Sequence, residues 1–128
     1  MIKSNSKAAK QAIRNFILNT AFDGSNYGIE TPATFSEAAR LIWAEFVKCK
    51  SNDDYFRGWS NSAIFDNWAQ GLPSILNGAP YYLYYSADPV QIIADILQET
   101  PAEAERYTPE QAAALLSRLI YREITAVI

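Results

Sequence analysis

The 128-residue chain contains no histidine and one cysteine, Cys49. Histidine supplies most acid–base chemistry and most transition-metal ligation near neutral pH, so its absence removes the usual zinc, copper and haem sites. A lone cysteine forms no intrachain disulfide, which points to a reducing, cytoplasmic setting. Glycines number only five, at 24, 28, 58, 71 and 78. They are too scattered to build a phosphate cradle. Long uncharged apolar runs are also missing. Charges interrupt the apolar positions of residues 1–20, so that stretch is neither a signal peptide nor a membrane span, and no membrane partner is expected.

Aromatic residues are plentiful. Eleven of the seventeen lie between Trp43 and Tyr85, including all three tryptophans and the run Tyr81-Tyr82-Leu83-Tyr84-Tyr85. Such residues bring large apolar area, and the polar tips of Tyr and Trp suit them to contact surfaces. The apolar fraction of 49% and the length together suffice for one core in a single domain spanning residues 1–128. The net charge of −3 is unevenly spread, because residues 1–22 hold Lys3, Lys7, Lys10 and Arg14 and no acid. An acidic chain of this kind is expected not to bind nucleic acid, where affinity comes largely from neutralising phosphates.

Periodicity and capping signals predict an all-α domain of five or six helices with an aromatic-rich irregular segment in the middle. Ala9, Ala12, Ile13, Phe16, Ile17 and Thr20 share one face of a helix over residues 6–20. Thr34 and Glu37 form a capping box for a second helix, with Phe35, Ala38, Ala39, Ile42, Phe46 and Cys49 inward and Leu41 and Trp43 at the borders. Asn61 or Ser62 is placed to cap a third helix carrying Ile64, Phe65, Trp68 and Ala69. Asp88-Pro89, Thr100-Pro101 and Thr108-Pro109 each pair a cap with a proline at the first helical position. Gln91 would complete a box at the first of these. The last helix carries Ala112, Leu115, Leu116, Leu119, Ile120 and Ile124 on one stripe. The Tyr81–Tyr85 run is strand-like in composition but has no nearby partner strand, so an extended loop on the helices is expected.

The segments Asn67-Trp68-Ala69-Gln70-Gly71-Leu72-Pro73-Ser74, Leu97-Gln98-Glu99-Thr100 with Glu103, Glu105 and Tyr107-Thr108, and Leu119-Ile120-Tyr121-Arg122-Glu123-Ile124 resemble uncharacterised small proteins of phages and mobile elements of gut bacteria. The resemblance implies a bacterial or phage cytoplasmic setting and no catalytic residue.

Candidate chemistry is sparse. Asn52, Asp53 and Asp54 lack the spacing of a calcium loop and read as an acidic turn. Serine nucleophiles have no histidine base, and Cys49 falls on an apolar helix face where a thiol is inert. Asp66, Glu99, Glu103 and Glu105 are the carboxylates available to an acid–base enzyme. No catalytic residue, cofactor or metal is therefore expected, and the protein reads as a non-enzyme.

Two surfaces remain. Tyr81, Tyr82, Tyr84 and Tyr85, with Trp59 and Tyr55, form the candidate contact surface for another protein, against the plainer reading that they fill the core and its rim. Lys3, Lys7, Lys10 and Arg14 form a candidate basic stripe, against the plainer reading of a solvated helix back. The resulting expectation is a protein-binding or regulatory accessory module. A nucleic-acid-associated protein using the stripe and a small carboxylate enzyme are the alternatives.

Overall fold

The computed structural model describes residues 1–18, 32–51, 54–71 and 88–128, with the side chains of 45, 49 and 68–71 excluded. All regular structure among the described residues is helical. In chain order the helices are α1 (Lys7–Phe16), α2 (Phe35–Ser51), α3 (Asn61–Gly71), α4 (Pro89–Leu97), α5 (Pro101–Ala104) and α6 (Pro109–Thr125), with a 3-10 turn at Asp54–Phe56 between α2 and α3. The all-α class and the helix number agree with the sequence reading. The Tyr81–Tyr85 run, Thr20, Asn52 and Asp53 lie outside the described residues, as do the side chains of Cys49, Trp68 and Ala69.

Local chemistry sets most helix starts. Ser6 Oγ accepts from Ala9 N at 3.1 Å and caps α1. Full capping boxes open α5 (Thr100 and Glu103) and α6 (Thr108 and Gln111). At α2, Thr34 Oγ1 accepts from Glu37 N at 3.3 Å, but Glu37 Oε2 reaches one residue further back, to Ala33 N at 3.2 Å. The box is thus shifted by one donor.

Two expected caps differ. Ser60, not Asn61 or Ser62, opens α3: Ser60 Oγ accepts from Ala63 N at 3.3 Å. Asn61 is instead occupied as the acceptor of Lys50 Nζ, and the Ser62 hydroxyl pairs with that of Ser60 at 3.3 Å. At α4, Asp88 Oδ1 accepts from both Val90 N and Gln91 N, as a cap should. Gln91 completes no box. Its amide points forward, donating to Asp95 Oδ1 at 2.8 Å one helical turn on.

The apolar faces converge on one core. Ala9, Ile13 and Ile17 from α1, Ala38, Ala39, Ile42 and Phe46 from α2, Ile64 and Phe65 from α3, and Ile93, Ile96 and Leu97 from α4 surround Ala112, Leu116, Leu119, Ile120 and Ile124 of α6. Helix α6 touches α1, α2, α3 and α4 and is the central element. A ladder of rings locks α2 and α3 to it: Trp43–Phe46 at 5.0 Å, Phe46–Phe65 at 5.3 Å, Phe65–Tyr121 at 5.4 Å and Trp43–Tyr121 at 6.1 Å. Tilted and edge-on pairs at these separations add stabilisation beyond area alone. At the start of the chain, Ile2 N donates to Leu97 O at 2.8 Å, tying the first residues to the end of α4. Among the described residues, no helix is long and apolar enough to cross a membrane.

Candidate interaction surface

The outward side of α2 and the turn after it expose apolar groups that the core does not use. Leu41 is 37% exposed and Val47 is 41% exposed. Ala44, between them on the same side of the helix, is exposed too. Leu41 was expected at the border of the buried face. It sits outside it because Ala38, Ile42 and Phe46 take the inward positions and leave residue 41 about a quarter-turn beyond.

The turn that follows carries three mutually touching rings. Tyr55 and Phe56 meet edge-on at 5.3 Å, Tyr55 and Trp59 are tilted at 5.3 Å, and Phe56 and Trp59 meet edge-on at 5.5 Å. Phe56 is buried and anchors the group, while Tyr55 is 63% and Trp59 40% exposed. The backbone reverses between them: Arg57 N donates to Asp54 O at 3.1 Å and Trp59 N to Phe56 O at 3.0 Å. Gly58 makes this possible with φ +83°, a left-handed conformation that costs other residues energy. A buried ring, two backbone bonds and packing between rings therefore fix Tyr55 and Trp59 before any partner arrives. Such preorganisation lowers the entropy cost of binding.

The basic stripe is only partly a free surface. Lys3, Lys7 and Lys10 are exposed. Arg14 is drawn away: its Nε donates at 2.9 Å to Glu123 Oε1, and its guanidinium lies 5.0 Å from the centroid of the Phe35 ring. Glu123 is buried, and Arg122 Nε donates to its second oxygen at 2.9 Å. Arg14 therefore joins α1 to α2 and α6. Sequence reasoning missed this carboxylate, although Glu123 lies seven residues after Leu116 and four after Leu119, on the apolar stripe.

The four carboxylates considered for acid–base chemistry do not form one site. Asp66 lies on α3 and Glu105 is exposed after α5. Glu99 has its side chain fully buried and is gripped by Arg106 Nη2 and by the Tyr107 hydroxyl at 3.3 Å. Burial, followed by the negative charge of Glu99, pushes the Tyr107 phenol above its usual pKa. Glu103 is held below the ordinary carboxylate range, chiefly by the backbone N–H of Thr100. These bonds are those of a helix cap and a structural ion pair. An open groove of about 350 Å³ between α1 and α4 is lined by Ala12, Asn15, Phe16, Ile92, Asp95 and Ile96, and none of the four carboxylates reaches it. Among the described residues, no group of three or more His, Cys, Asp or Glu is placed to hold a metal ion. Comparison of the chain with family models, curated proteins and solved structures gives no match.

Proposed function

We propose that this protein is a non-catalytic helical module that acts by binding another protein. The observation that carries the reading is the preset pair Tyr55 and Trp59, exposed on a turn whose third ring, Phe56, is buried. Among the described residues, Leu41 and Val47 of α2 are exposed as well, and Tyr55 and Trp59 touch each other on the turn that follows it. Large exposed apolar groups that cluster mark contact sites more often than scattered ones do. Tyr and Trp are enriched where interfaces draw their energy. On the resemblance of its short motifs, the setting is cytoplasmic accessory or regulatory service to a phage or mobile element.

Affinity purification from the native host, with wild type beside Tyr55→Ala/Trp59→Ala, tests the reading. The wild type should retain a specific protein in stoichiometric amount, and the double variant should lose it while keeping its helical spectrum and melting midpoint. Equal retention by a folded double variant would refute the assignment.

A further inference from the structure

The open groove between α1 and α4, about 350 Å³ in volume, lies at the low end of the size range of small-ligand sites. Four of its lining side chains are apolar: Ala12 and Phe16 from α1, Ile92 and Ile96 from α4. Ile96 is buried, and Ala12, Phe16 and Ile92 are partly buried against the core, so packing fixes these walls before any ligand enters. The other two lining residues, Asn15 and Asp95, are polar and exposed. Ligand sites have this makeup, an apolar lining with a few polar groups that set orientation, and they form between the helices of bundles.

The two polar groups are held in the same way. Gln11 Nε2 donates to Asn15 Oδ1 at 2.9 Å, and Gln91 Nε2 donates to Asp95 Oδ1 at 2.8 Å. Each glutamine stands one helical turn before its acceptor, where side chains of one face meet. These bonds engage one oxygen of each group and leave its other end unused. Among the described residues, neither the Asn15 amide nitrogen nor Asp95 Oδ2 has a partner, and Asp95 forms no ion pair. Among the described residues, no lysine or arginine lines the groove either. The Asn15 amide is neutral, so Asp95 alone sets the sign of the site. A carboxylate or phosphate would meet it with like charge and no base to balance the two. A cation completes the set.

We propose that the α1–α4 groove binds a small organic cation, a primary amine with a hydrocarbon body. Its ammonium donates to Asp95 Oδ2, a charge-assisted bond that is stronger than a neutral one. Its hydrocarbon part lies along Phe16, Ile92 and Ile96 and is withdrawn from water, a contribution that a metal ion or bare ammonium lacks. The groove is built from other elements than the turn carrying Tyr55 and Trp59, so it is a second binding site of the domain and does not depend on that turn.

NMR titration of the full chain with phenethylamine tests this, with hydrocinnamate as a probe of similar size and opposite charge. The amine should shift the backbone amides of Ala12, Phe16, Ile92 and Asp95 in a saturable manner, and the acid should leave them in place. Asp95→Asn removes the charge and should weaken the amine about tenfold or more, the effect of losing one hydrogen bond to a charged group. The Asp95 side chain is exposed and its bond is to Gln91 on the same helix, so the variant should keep the wild-type helical spectrum. The comparison of the two probes on the wild type needs no variant at all. An absence of saturable shifts at these residues, equal shifts from the amine and the acid, or an Asp95→Asn variant that binds the amine as the wild type does would each overturn the proposal.

Discussion

Glu123→Ala should be among the more damaging single changes available outside the apolar core. The carboxylate is 1% exposed and takes one bond from Arg14 and one from Arg122, each at 2.9 Å. Hydrogen bonds to charged groups contribute about 1.5–3 kcal/mol each, and removing one member of a buried ion pair costs about 3–5 kcal/mol. The two arginine side chains are 33% and 32% exposed, so after the change they can turn toward water and recover part of that loss. The expected cost is therefore about 2–4 kcal/mol, below the upper end of the range for a fully buried pair. Arg14→Ala should cost less, about 1–2 kcal/mol, because Arg122 still satisfies one oxygen of Glu123. Urea unfolding of both single variants and the double variant gives the coupling directly. The double variant should lose less than the sum of the two single losses. A Glu123→Ala loss under about half a kcal/mol, the range of ordinary surface sites, would mean that the carboxylate is solvated and that α1 is held by apolar packing alone.

Leu116→Ala and Ile120→Ala should each lose about 2–5 kcal/mol in the same assay, since both side chains are enclosed on the central helix, whereas Lys7→Ala or Lys10→Ala should change stability by no more than about half a kcal/mol. The raised pKa of Tyr107 means that the folded state holds its phenolic proton longer than the unfolded chain. Its contribution is complete below the ordinary tyrosine value of about 10 and is lost as pH climbs through the higher folded value. Tyrosinate absorbance should show Tyr107 titrating late, and less late in Glu99→Gln, where burial still raises the phenol but the neighbouring charge is gone; an unchanged titration would break the link to Glu99. Duplex DNA should not bind appreciably near physiological salt. With Arg14 engaged by Glu123, any low-salt binding should show a log–log slope of about −2.7 for three lysines, and a slope of about −3.6 would mean that Arg14 leaves its carboxylate.

Much of the architecture was legible because it is written in short-range patterns. The Thr100-Pro101 and Thr108-Pro109 starts need only four consecutive residues to act, and both form as read. The stripes of α1, α2 and α6 likewise repeat at the helical period and are buried accordingly. Errors arose where a partner from farther along the chain claimed a side chain. Asn61 looks like a cap until Lys50, eleven residues earlier in sequence, claims its side chain. Arg14 looks like the fourth member of a solvated stripe because its partner Glu123 is 109 residues away, and no periodicity links the two. One signal was available at the other end of that pair. An acid at position 123, on the same stripe as Leu116 and Leu119, implies a buried charge that requires a cation. Within the candidate surface, Tyr55 and Trp59 are exposed. The role of Phe56 as their anchor depends on the turn made at Gly58, which single-residue preferences do not reveal.

The central claim is that contacts are made through the α2 side and its aromatic turn rather than through the basic face of α1. Photocrosslinking in the native host tests it most directly, with a photoreactive side chain placed at position 59 in one variant and at position 7 in another. The account predicts a discrete protein adduct from position 59 and none of comparable yield from position 7. Adducts from position 7 with none from position 59 would contradict it, and would make the lysine face of α1 the working surface.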